Sequence, residues 1–244
     1  MKTSITLLAL TACLLFAGCE TRSISDSGYH HDRGYRGELN ELSVLGVSTS
    51  GNEITEQEIA DALKNGSPEV GLKHGDTIVL IQSGALFPDD GMLDGLKTAY
   101  EVIPLSGVPD NGNGPTWMRS DSKQEVPPLD KSLRLVAARG GASYMIVYWG
   151  QLEISQEAYA TKAVSWIPIV GGVLLDEQQE MRIQLKIAII DVLTGDWNLL
   201  TPVSYEDKTN TASYTRHSQH DDQVSLLKTQ AYEEAVKDIT QRYN

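Results

Sequence analysis

The chain has 244 residues, enough for one or two domains, and its 41% apolar content suits a packed core and not a disordered chain. Its formal net charge of −13 repels nucleic acid and anionic lipid head groups, so neither is an expected partner. Only two cysteines occur, Cys13 and Cys19.

The first eighteen residues read as an export signal. Lys2 gives a positive start, residues 5–16 are almost wholly apolar, and Ala17-Gly18 supply small residues before Cys19. Such a run is too short to span a bilayer. Phe16-Ala17-Gly18-Cys19 resembles the bacterial lipobox, whose cysteine is acylated and becomes the first residue, although Phe16 stands where leucine is usual. Leu10-Thr11-Ala12-Cys13 also fits, but leaves an apolar run of only about five residues against the usual ~7–15. Residues 1–18 are therefore expected as the signal peptide and Cys19 as the site of lipidation, with palmitate among its acyl groups. Cys13 would leave with the signal and Cys19 would be blocked, so no disulfide and no cysteine metal ligand is expected. Glu20 follows the cysteine, and lipoproteins that resemble this one are sent to the outer membrane unless aspartate stands there. The expected location is the outer membrane, lipid-anchored and facing the periplasm.

Residues 19–41 read as a lipidated flexible tether, being rich in Ser, Gly, Arg, Asp, His and Tyr without periodicity. A single domain is expected over 42–244. Residues 42–47 predict a strand or a segment packed on the core. Thr55-Glu56-Gln57-Glu58 has capping-box spacing, Ile54 and Ile59 stand at staple positions, and Ile59 with Leu63 gives an apolar helix face that Gly66 can end. Residues 77–81 are a continuous apolar run, typical of a strand buried on both faces. His74 belongs to the turn before it. Asp89 and Asp90 can cap a helix reaching Thr98, and residues 100–105 give a strand that Pro104 places at an edge. Residues 106–128 form a long loop or insertion.

Asp130 opens a helix with Leu133, Val136 and Ala137 as its stripe, and Gly140-Gly141 closes it. Residues 144–149 are a third buried strand, and strands joined by helices imply parallel crossover units. From 150 to 205 helix signals vanish. Apolar residues at 181, 183, 185, 187 and 189 alternate with Arg182, Gln184 and Lys186, predicting a strand with one wet face. Residues 152–165 are expected to pair with 177–190 as a long hairpin. Thr194-Gly195-Asp196 is a turn, after which the chain runs back. Asp221 and Asp222 are expected to start a last helix with Val224, Leu227, Ala231, Ala235 and Ile239 as its buried face. The fold class is α/β (α+β): a three-layer-like domain with a central mixed sheet, parallel βαβ crossovers, a long antiparallel hairpin and a C-terminal helix.

Three segments carry a resemblance. Residues 137–147, Ala-Ala-Arg-Gly-Gly-Ala-Ser-Tyr-Met-Ile-Val, look like an alanine-rich helix, Gly-Ala turn and strand. Residues 185–195, ending Ile-Asp-Val-Leu-Thr-Gly, look like an apolar strand followed by Asp and a Thr-Gly turn. Residues 100–103 look like the strand after the second helix. Together they resemble the envelope domains that include the amino-terminal domain of TolB, the curli lipoprotein CsgG and lipoprotein activators of peptidoglycan synthases. Ser143 departs from the acidic residue many of these carry. The resemblance implies a non-catalytic adaptor or assembly factor acting through an envelope protein partner, with a homo-oligomer open. A secretion-pore subunit related to the curli channel is the alternative, and a metal-binding periplasmic protein the second.

The sequence offers few sites. His217, His220 and Asp221 have the spacing of weak metal ligands, with His30-His31-Asp32 behind them, but solvated histidines at a helix start explain them better. No nucleophile elbow, phosphate loop or zinc-protease motif occurs, so no catalytic residue and no cofactor is expected. Residues 166–175 hold no charge. Trp166, Ile167, Ile169 and Val170 there form a candidate interaction patch at the hairpin tip, or a core plug.

Overall fold

The computed structural model describes residues 19–27, 35–47, 54–65, 70–109, 127–158, 177–211 and 216–243. The elements run β1 (Cys19–Ser23), a 3-10 turn (Ile24–Asp26), α1 (Glu41–Val44), α2 (Glu56–Asn65), β2 (Thr77–Ser83), α3 (Asp90–Leu96), β3 (Glu101–Gly107) and α4 (Leu129–Arg139). They continue with β4 (Tyr144–Ala158), β5 (Glu177–Asp191), β6 (Trp197–Leu200), β7 (Tyr205–Thr211) and α5 (Arg216–Arg242).

One mixed seven-stranded sheet organises the chain, with the order β3-β2-β4-β5-β6 at its base. β2 is parallel to both β3 and β4, so β2-α3-β3 and β3-α4-β4 are the expected crossover units. β3 is an edge strand, as Pro104 requires. β4 and β5 are antiparallel along all fifteen residues, from Tyr144 opposite Asp191 to Ala158 opposite Glu177. The third buried strand and the first arm of the hairpin are thus one element. β2 accompanies β4 only as far as Tyr148, and beyond it β1 takes the vacant lane, antiparallel, from Gln151 to Ser155. On the other side β7 replaces β6 along β5, pairing with residues 177–183.

Side chains alternate between two cores, making three layers. α3 and α5 cover one face, where Met92, Leu96, Val224, Leu227, Ala231, Ala235 and Ile239 pack on Ile78, Leu80, Ile146, Tyr148 and Ile187. α1 and α4 cover the other, with Val44 and Ala137 against Val79, Ile81, Met145, Val147 and Ala188. Burial on both faces is why β2 and the start of β4 are continuous apolar runs.

Several expectations are corrected. Residues 19–41 are not a tether in their described parts. Cys19–Ser23 is a strand, Ile24 is buried in the larger core, and Leu39 is buried in the smaller one. β1 has no apolar pattern because it is held by backbone bonds along an open lane of β4. Residues 41–44 form a helix, not a strand, with Asn40 as its cap, while Val44 and Leu45 do pack on the core. Val136 is exposed on α4, leaving Ala137 buried and Leu133 packed at the margin. α5 starts at Arg216, five residues before Asp221. Asp89 is the N-cap of α3, but its carboxylate makes no cap bond.

Candidate functional site

The sheet face under α1 changes character along β4 and β5. It is apolar through Trp149 and then carries Gln151 directly opposite Gln184, with Lys186 opposite Trp149. The segment 38–41 folds over this transition, and residues 201–204 between β6 and β7 close the other side. A cavity of about 420 Å³ results, within the size range of small-ligand sites. Its floor is Trp149, Gly150, Gln151, Gln184, Leu185 and Lys186; Glu38, Glu41, Thr201, Pro202 and Ser204 wall it.

Three bonds hold the 38–41 wall. The indole N–H of Trp149 donates to the Leu39 carbonyl at 2.9 Å. Lys186 Nζ donates to Glu41 Oε2 at 2.8 Å. The Ser23 hydroxyl donates to Glu38 Oε1 at 2.6 Å. Burial pushes the Glu38 carboxyl above its ordinary value of 4.5, and the Ser23 hydroxyl only partly opposes this. The site therefore joins uncharged amide groups, one ion pair and one carboxylate held in a poorly solvated setting.

A second feature is α2. Its capping box is formed as expected: the Thr55 amide donates to Glu58 Oε2 at 2.8 Å, and the Glu58 amide donates to Thr55 Oγ1 at 3.2 Å. The Glu58 carboxyl lies below its ordinary value because the Thr55 amide and, at 3.1 Å, the Thr55 hydroxyl donate to it. Its apolar face is not in the core, however. Every residue from Ile54 to Lys64 is exposed, with Ile59 at 46% and Leu63 at 79%.

Cys19 is the first residue of β1, opposite Ser155. Trp166, Ile167, Ile169 and Val170 lie outside the described residues, as do His30, His31 and Asp32. His217, His220 and Asp221 fall in the first turns of α5. Among the described residues no group of three His, Cys, Asp or Glu could hold a metal, and no helix is long and apolar enough to cross a membrane. The cavity residues were not anticipated from the sequence. The wet face carrying Gln184 and Lys186 was the one signal; nothing tied it to Glu38 and Glu41.

A family model described as YafT bacterial lipoprotein matches residues 40–242. No curated protein matches. A solved structure, the hypothetical protein CT253 from Chlamydia trachomatis, is similar at 9% identity over 69% of this chain and 95% of that one. Its TM-score is 0.24, too low to bear on fold or function.

Proposed function

The chain belongs to the YafT bacterial lipoprotein family, and from that premise we propose that it is a non-catalytic adaptor or assembly factor of the cell envelope. In this reading Cys19 carries the lipid, and Glu20 directs the protein to the outer membrane, where the domain faces the periplasm and binds a protein partner.

The observation that carries the adaptor reading is the uncovered stripe of α2. Isolated helices shorter than ~12–15 residues are marginal in water, and α2 has ten residues, all those described being exposed. Its capping box supplies local stability. A partner that buried Ile59 and Leu63 would add about 1.5–3 kcal/mol for each side chain fully covered. Surface stripes that persist in this way mark interaction sites.

The test is site-specific photo-crosslinking in cells. A crosslinker at Leu63 should trap one discrete protein adduct, while the same group at Lys73 should not. With the crosslinker at position 63, Ile54→Ser with Ile59→Ser should abolish the adduct and shift stability by less than ~0.5 kcal/mol, as exposed substitutions do. No discrete adduct at Leu63, or an adduct indifferent to the serines, overturns the reading. Mass spectrometry of the membrane-extracted protein should find an acylated terminal peptide beginning at Cys19; one retaining Ala17-Gly18 would refute that anchor.

A further inference from the structure

The cavity beneath residues 38–41 has a chemistry separable from the adaptor reading. We propose that it binds a small polyhydroxylated molecule bearing an ammonium group, of the amino-sugar class.

Lys186 is the cation on the cavity floor, and it is paired with Glu41 at 2.8 Å. Glu38 receives a neutral hydroxyl from Ser23 and, among the described residues, no cation. The cavity therefore keeps a net negative charge at Glu38. An anion would be repelled there, and by a chain of net charge −13 as well. An ammonium beside Glu38 would make a charge-assisted bond, about twice as strong as a neutral one.

Two further groups ask for hydroxyls. Gln151 and Gln184 face each other across β4 and β5, and neither side-chain amide is engaged with a described residue. Each amide offers an acceptor and two N–H donors, the pattern that reads a hydroxyl as both donor and acceptor. An apolar ligand has little to lie on. Trp149 is only 9% exposed, its ring packed in the smaller core and its N–H given to Leu39.

Isothermal titration of the purified detergent-solubilised full chain would use three probes: glucosamine, glucose and glucose 6-phosphate. Glucosamine should bind saturably at one site, about tenfold tighter than glucose, the ratio a single charge-assisted bond supplies. Glucose 6-phosphate should not bind. Glu38→Gln preserves the Ser23 bond and should erase the preference for glucosamine over glucose. Gln184→Ala should weaken both sugars alike. The proposal is overturned if glucosamine shows no saturable binding, if glucose or the phosphate matches it, or if Glu38→Gln keeps the preference. The Leu63 adduct reports on α2 alone, so either reading can fail without the other.

Discussion

Lys228 on α5 and Asp89 at the start of α3 form an ion pair 3.0 Å apart, their side chains only 11% and 10% exposed. The Tyr232 hydroxyl donates to the same carboxylate oxygen at 2.5 Å. The Asp89 amide donates to Gln82 Oε1 at 2.7 Å, which also accepts the Tyr148 hydroxyl at 2.6 Å. Gln82 Nε2 donates to Ser25 Oγ at 3.0 Å, and Ser25 Oγ donates to the Ser83 carbonyl at 2.6 Å. Asp89 Oδ2 is thus given to α5 and not to the amides of α3. The chain of bonds also joins the 3-10 turn after β1 to the last helix through the end of β2.

Removing one side of that pair should therefore be costly. Lys228→Met takes the ammonium from a buried carboxylate and should lower stability by about 3–5 kcal/mol. Adding Asp89→Asn should recover a large part of the loss, because the buried charge goes with its partner. Urea unfolding of the two single variants and the double variant measures the coupling; simple additivity would contradict the pairing.

Alkali should unfold the protein through its buried phenols. Burial, first of all, raises Tyr148 and Tyr232 well above the ordinary value of 10.0. The unfolded chain loses these protons near that value while the folded chain keeps them. Stability is thus intact below about pH 10 and falls above it, with a slope approaching ~2.7 kcal/mol per pH unit for two such groups. Tyr232→Phe should start less stable but show a shallower slope in unfolding measured from about pH 9 to about pH 11.

Glu38→Gln should stabilise the protein at neutral pH. The folded chain holds the Glu38 carboxyl above 4.5, so folding is favoured when that group is protonated and penalised as it ionises. The amide has no such penalty. The gain over the wild-type chain should therefore shrink as pH falls toward and below 4.5, read by thermal melts of both proteins.

Gly150 makes room for the amino-terminal segment. A Cβ there would lie 2.5 Å from Ile24 Cδ1, closer than packed carbons come. Gly150→Ala should cost about 1–3 kcal/mol by overpacking. Ile24→Ala opens the same space, so in the double variant the alanine at 150 should cost less than it does alone. Denaturant melts of the four-member cycle check this.

Much of the core was legible because burial leaves a period in the sequence. Residues 77–81 and 144–149 are apolar without a break since helices cover both faces, and α5 repeats its apolar positions at three and four. β1 and β7 were not legible. Cys-Glu-Thr-Arg-Ser and Tyr-Glu-Asp-Lys-Thr-Asn-Thr carry no such period. They are strands because β4 and β5 outrun β2 and β6 and leave backbone groups to pair. On α2, Thr55 and Glu58 disclosed the helix start, whereas Ile59 and Leu63 show only that a face is apolar, not what covers it. The cavity escaped for a simpler reason. Lys186 and Glu41 are 145 residues apart, and no local pattern links such a pair.

The register of β1 has a mechanical consequence. Cys19 lies opposite Ser155 and Ser23 opposite Gln151, so pairing begins at the residue expected to hold the acyl chains. Ladder bonds in an antiparallel pair run across the strands. A pull along β1 from Cys19 loads those bonds together in shear instead of opening them one at a time. Behind them, Ile24 seated over Gly150 acts as a stop. Drag on the lipid directed along β1 would pass at once into β4, the strand about which the whole sheet is built, and the body would follow its anchor as a keel follows a hull and not as a buoy follows its line.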